Sequence, residues 1–131
     1  MAEDEQLLLA AAELAREQAY APYSKYAVGA AVVSAAGKMY AGCNVENASY
    51  GLTMCAERTA IFMAVAAGER IIQGLAVVTD AKEPGMPCGA CRQVLHEFAA
   101  SADIPIVVAN THGERTSVTL AELFPHPFTL H

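Results

Sequence analysis

The chain has 131 residues, which suits one compact domain and is short for two. Hydrophobic residues make up 54% of it, so a core is assured, and 14 acidic against 8 basic side chains give a net charge of −6. That balance, with no run of Lys or Arg, argues against a polynucleotide partner and for a small, weakly charged ligand. Apolar stretches are broken by Gly or charge well before the roughly 20 residues a membrane span needs. The acidic start, Met1-Ala2-Glu3-Asp4-Glu5, is unlike the basic start of a signal peptide, so a cytoplasmic location is expected. Thiols stay reduced there, which makes clustered cysteines better candidates for metal ligands than for disulfides.

Residues 3–20 read as an amphipathic helix, with Leu7, Ala11, Leu14 and Gln18 at helical spacing and acidic residues in the first turn. Ala21-Pro22-Tyr23-Ser24 ends it. The apolar, Val-containing run 27–35 is expected to be a buried strand, Gly37-Lys38 a turn, and 39–45 the returning strand of a hairpin. Residues 55–69 hold good helix formers and reach a stop at Gly68. Residues 74–79 read as a third strand and 81–87 as a Pro- and Gly-containing loop. Residues 88–100 read as a helix with Pro87 at its start. Residues 104–109 and 116–119 complete the strands, and 120–124 fit one helical turn. This order implies an α/β domain spanning 1–131, with a five-stranded mixed sheet whose later strands are parallel.

Three thiols and one carboxylate stand out: Cys55-Ala56-Glu57, followed by Pro87-Cys88-Gly89-Ala90-Cys91. Cys88 and Cys91 are one helical turn apart, and Cys55 opens the other helix. Both helix starts favour thiolates. Three protein ligands leave the fourth tetrahedral position of a zinc ion open for water, as in a catalytic site. A closed structural site with Cys43 as fourth ligand is the alternative. Strand alternation, however, turns Cys43 away from Asn44 and Glu46, and a small buried apolar role suits it better. His96, His112, His126 and His131 fall on another helix face, in turns or at the terminus, so no histidine is assigned to the metal. Glu57 is close enough to move protons for a zinc-bound water; a surface glutamate favoured by the helix dipole is its plain alternative. Arg58, one turn after Cys55, is placed to offset the excess charge of three thiolates.

Cys-Ala-Glu followed by Pro-Cys-x-x-Cys resembles the zinc-dependent nucleobase deaminase signature, with Cys in place of the usual His. Ala21-Pro22-Tyr23-Ser24-Lys25-Tyr26-Ala27-Val28-Gly29-Ala30-Ala31, Gly42-Cys43-Asn44-Val45-Glu46-Asn47-Ala48-Ser49-Tyr50 and Cys55-Ala56-Glu57-Arg58-Thr59-Ala60 extend the likeness. With Pro87-Cys88-Gly89-Ala90-Cys91-Arg92-Gln93-Val94, they make nearly the whole chain similar to the small homotetrameric cytidine deaminases. The resemblance implies a three-layer α/β/α fold and one Zn²⁺ per subunit on Cys55, Cys88 and Cys91. It implies hydrolytic deamination of cytidine and deoxycytidine to uridine and deoxyuridine with release of ammonia, Glu57 carrying the protons. Asn44 and Glu46 would bind the ribose hydroxyls, the Ala56 backbone the pyrimidine edge, and Tyr26, where family members more often have Phe, would lie near base or sugar. Tyr50 matches a subunit-contact residue. Leu123-Phe124-Pro125-His126-Pro127-Phe128 resembles the segment whose Phe stacks on the base in a neighbouring subunit's site, a role that would fall to Phe128; the alternative is an aromatic packed on its own domain. The chain stops three residues later, short of the family's usual tail. A blasticidin-type deaminase, a polynucleotide-editing deaminase and a non-catalytic zinc module are the competing readings. Asn44-Val45-Glu46-Asn47 favours a ribose over the first, and the acidic balance counts against the second.

Overall fold

The computed structural model describes residues 2–82 and 85–130; His131 and part of the 81–87 loop fall outside them. Helix α1 (Ala2–Arg16) precedes strands β1 (Val28–Ser34) and β2 (Met39–Cys43). A single 3₁₀ turn (Tyr50–Leu52) leads into α2 (Ala56–Ala66). Then come β3 (Ile72–Thr79), α3 (Gly89–Phe98), β4 (Pro105–Asn110), β5 (Arg115–Thr119) and the short α4 (Leu120–Leu123).

The strands form one sheet in the order β2-β1-β3-β4-β5. β1 pairs antiparallel with β2 and with β3, and β3 pairs parallel with β4. The expectation that the later strands are all parallel fails at β5, which runs antiparallel to β4. Only a short turn at Gly113, with φ of 95°, joins β4 to β5. A parallel return needs a crossover of a dozen or more residues; α3 supplies one between β3 and β4, and nothing supplies one after β4. β1 and β3 are buried on both faces, which is why they read as near-continuous apolar runs.

Helices cover both faces. On one, Leu8, Leu9 and Ala12 of α1 pack against Ala31, Ala76, Val78 and Val107. On the other, Ala56, Ala60, Ile61 and Ala64 of α2, Leu95 of α3 and Leu120 meet Val32, Leu75, Ile106 and Val108. The expected three layers are present, but the buried face of α1 is not the anticipated one. Leu7 and Leu14 are 60% and 67% exposed. The run Leu7-Leu8-Leu9 offers more than one apolar stripe, and the close crossing of α1 over Gly29 selects the stripe holding Leu8, Ala12 and Arg16: a Cβ at Gly29 would lie 1.9 Å from the Ala12 carbonyl oxygen.

Element ends differ from expectation where tertiary partners take over. α1 stops at Arg16, four residues before Tyr20, because Tyr20 exchanges backbone hydrogen bonds with Asn44 and Glu46 (Tyr20 N to Asn44 O, 3.0 Å; Glu46 N to Tyr20 O, 2.8 Å). Pro87 stands before the cap of α3 rather than inside its first turn. α2 ends at Ala66, followed by Gly68 with φ of 98°.

Candidate metal centre

Cys55 is the N-cap of α2 and Cys88 the N-cap of α3; both have extended backbone, so each sulfur leaves its helix at the end where backbone N–H groups point outward. Cys91, in the first turn of α3, donates its backbone N–H to the Cys88 sulfur at 3.4 Å. The three sulfurs lie within 4.8 Å of one another, with Cys88 and Cys91 Sγ 3.3 Å apart. A tetrahedral zinc with bonds of about 2.3 Å requires sulfurs about 3.8 Å apart, so the trio fits one zinc ion with little movement. Cys43 is outside this trio, and among the described residues no histidine joins it. Cys43 is half-buried, and burial pushes its thiol up. The closed four-cysteine alternative therefore falls away.

The thiols share protons. The neighbouring Cys91 thiol, then the Arg58 guanidinium, hold Cys55 down to about 5, while Cys91 is pushed up by the same Cys55 interaction and by burial. In this coupled pair Cys55 ionises the more readily, and a metal that binds both sulfurs displaces the remaining proton. Arg58 Nη2 donates to Cys55 Sγ at 3.1 Å, and its Nε is buried without a partner. The charge-offsetting contact expected from spacing is present, and the buried Nε–H of the guanidinium is still unspent.

Glu57 is 6% exposed, which removes the surface-glutamate alternative. Burial chiefly, and then the Cys55 charge, raise its carboxyl above the ordinary range. A cavity of about 210 Å³ opens onto it, walled also by Tyr26, Asn44, Cys55, Ala56 and Cys88. A larger hollow of about 310 Å³ lies at the other end of the sheet, near Asp4, Gly37 and Pro105, and its lining includes no cysteine or histidine. The chemistry is at the smaller one.

Asn44 and Glu46 are buried, 8% and 5% exposed, with Val45 between them at 44%. The alternation anticipated for a strand thus persists beyond the end of β2. Both side chains grip the preceding loop. Asn44 Oδ1 accepts from Val28 N at 2.9 Å and its Nδ2 donates to Tyr26 O at 2.8 Å. Glu46 accepts from Tyr23 N at 2.9 Å, Ser24 N at 3.1 Å and the Ser24 hydroxyl. The Ser24 hydroxyl foremost holds the Glu46 carboxyl below the usual range. Asn44 lines the cavity, while Glu46, two residues on, is not among its lining residues. Phe128 lies away from the cavity, 69% exposed, so it does not pack on its own domain.

Sequence reasoning missed Thr53 and Thr79 in the cavity wall. Thr79 was legible as the one polar residue ending an apolar strand, on the face of Val77. Thr53, whose hydroxyl is buried without a partner, gave no such signal.

Thiols converging on two helix starts beside a buried carboxylate, on a three-layer α/β/α scaffold, define a zinc-site hydrolytic enzyme. The chain belongs to the cytidine and deoxycytidylate deaminase zinc-binding family, whose model matches residues 1–108. It is 48% identical over 126 residues to the cytidine deaminase of Sporosarcina psychrophila, covering 96% of this chain and 92% of that one. It is 49% identical over 126 residues to that of Halalkalibacterium halodurans, covering 96% and 95%. The crystal structure of cytidine deaminase from Burkholderia pseudomallei superposes with a TM-score of 0.89 at 49% identity, covering 94% of this chain and 98% of that one.

Proposed function

We propose that this protein is a zinc-dependent cytidine deaminase that hydrolyses cytidine and deoxycytidine to uridine and deoxyuridine with release of ammonia, a step of pyrimidine salvage. The observation that carries the reading is the meeting of Cys55, Cys88 and Cys91 with buried Glu57 at one cavity. Cys55, Cys88 and Cys91 hold one Zn²⁺ per subunit, which when bound supplies Lewis acidity and brings the pKa of water toward neutrality. Three thiolates carry one charge more than zinc neutralises, and Arg58 offsets it through its bond to Cys55.

Glu57 takes a proton from the attacking water and delivers it to pyrimidine N3. It then takes the proton of the hydroxyl added at C4 and passes it to the amino group, which leaves as ammonia while that oxygen becomes the carbonyl of the product. Its raised carboxyl suits a group that alternates between base and acid. The Ala56 backbone, at the start of α2, meets the pyrimidine edge. Asn44 binds ribose from the cavity wall while fixing the Tyr26–Val28 backbone, and Tyr26 closes the same wall. Glu46 completes the ribose site; its carboxylate already accepts three hydrogen bonds and keeps one of about four lone-pair positions for a hydroxyl. Phe128 stacks on the base in a neighbouring subunit's site, which its exposure supports.

Residues 1–131 act as one domain, since a single sheet carries both core clusters. Exposed Tyr50, Leu52, Phe62, Met63 and Phe128 support self-association, most simply as a homotetramer with shared active sites. The substrate is a free nucleoside and not a nucleic-acid polymer, in keeping with the acidic balance. No helix among the described residues is long and apolar enough to cross a membrane. A reducing, cytoplasmic setting suits Cys88 and Cys91, whose joining as a disulfide would abolish the site. The deciding experiment is release of uridine and ammonia from cytidine by zinc-replete protein beside a chelator-treated control. Turnover that survives full zinc removal, or none with zinc bound, defeats the proposal.

A further inference from the structure

Helix α3 does more than present Cys88 and Cys91. Arg92 Nη1 donates to Leu123 O at 2.8 Å. The next residue, Gln93, meets both backbone polar groups of one residue far along the chain: Nε2 donates to Phe128 O at 2.9 Å, and Oε1 accepts from Phe128 N at 3.2 Å. The segment from Leu123 to Phe128 is therefore tied to the helix at both ends. Between the ties, Pro125 and Pro127 fix their own φ and offer no backbone donor. The Phe128 backbone is held while 69% of the residue stays exposed. A held backbone under a free ring removes in advance much of the ordering cost of inserting that ring elsewhere.

We propose that Gln93 is a positioning residue, whose amide fixes the Phe128 backbone so that the metal-bearing helix of one subunit sets the base-stacking ring offered to another. The inference rests on the reading of Phe128 given above. An amide is the required chemistry, because it donates and accepts at once as a peptide unit does. A carboxylate cannot donate to Phe128 O and an ammonium cannot accept from Phe128 N. Gln93 thus acts on substrate affinity through Phe128, without touching substrate or thiols.

The test is a double-mutant cycle on the zinc-loaded, assembled protein, reading kcat and KM for cytidine, zinc content and oligomer mass. Phe128→Ala should raise KM roughly 5- to 150-fold, the worth of one base–aromatic stack. Gln93→Ala should raise KM by a smaller factor, roughly 3- to 10-fold, with kcat within about twofold and zinc and mass unchanged. Gln93→Glu, which keeps only the bond from Phe128 N, should fall between wild type and Gln93→Ala. The variant lacking both side chains should match Phe128→Ala alone, because Gln93 has nothing left to position. Additive losses in that double variant, or an unchanged KM in Gln93→Ala beside an impaired Phe128→Ala, overturn the Gln93 role alone. An unchanged Phe128→Ala overturns the stacking role of Phe128 and this inference with it.

Discussion

At the scale of single residues, the site is an exercise in removing charge from water and then supporting it. Glu57 is buried, so its carboxyl holds a proton more readily than a surface glutamate does. Glu57→Gln should retain zinc, since Glu57 is not one of the three clustered ligands. It should lose about 10²- to 10⁴-fold in turnover, the usual worth of a general acid–base group; zinc content and steady-state rate together check this. Glu46 shows the opposite shift, lowered first by the Ser24 hydroxyl. Its stabilising contribution is fully present above the ordinary value of 4.5 and is lost as pH falls through its lower folded value. The stability gap between wild type and Glu46→Gln should therefore be constant at neutral pH and shrink in strong acid, as read by denaturant titration. A gap that widens on acidification contradicts the hydrogen-bonding scheme at Ser24.

Between elements, two glycines mark where helices touch the sheet, and they separate stability from activity. A Cβ at Gly29 meets Ala12 O at 1.9 Å and Arg16 N at 2.6 Å, so Gly29→Ala pushes α1 off its face. A Cβ at Gly42 meets Ala60 N at 2.7 Å and Thr59 Cγ2 at 2.8 Å, so Gly42→Ala pushes on α2. Each should cost about 1–3 kcal/mol in stability or somewhat more. Only Gly42→Ala should also lower turnover at a temperature where both variants remain folded, because α2 carries Cys55 and Glu57 and α1 carries no ligand of the cluster. Equal activity losses would mean that α1 is coupled to the site through Arg16, which donates to Ala27 O and pairs with Asp80.

The whole molecule leaves large apolar side chains uncovered. Leu52 and Phe128 are 68% and 69% exposed, Tyr50 63% and Met63 51%. So much apolar surface on a chain of 131 residues calls for a partner, and the proposed homotetramer supplies it. Light scattering at working concentration should give a mass close to four times the chain's 13.8 kDa; a monomeric mass is the outcome that removes both the shared site and the Phe128 role.

Much of this was legible in the residues themselves. Hydrophobic runs and turn residues located all five strands and the main helices, because burial period and chain reversal are local properties. The spacing of Cys55, Glu57, Arg58, Cys88 and Cys91 pointed to a metal centre, because helix starts favour thiolates wherever they occur. What a local pattern could not decide was anything that two distant segments settle together. The stripe of α1 that faces the sheet was chosen by its crossing at Gly29, the direction of β5 by the shortness of its connection, and the end of α1 by backbone pairing of Tyr20 with Asn44 and Glu46. Only the folded chain brings the starts of α2 and α3 together so that three sulfurs meet. Only there does Gln93 reach Phe128, 35 residues further along. The sequence determined which chemistry the chain carries, and packing decided where each group stands, because packing is a relation between residues and not a property of any one of them.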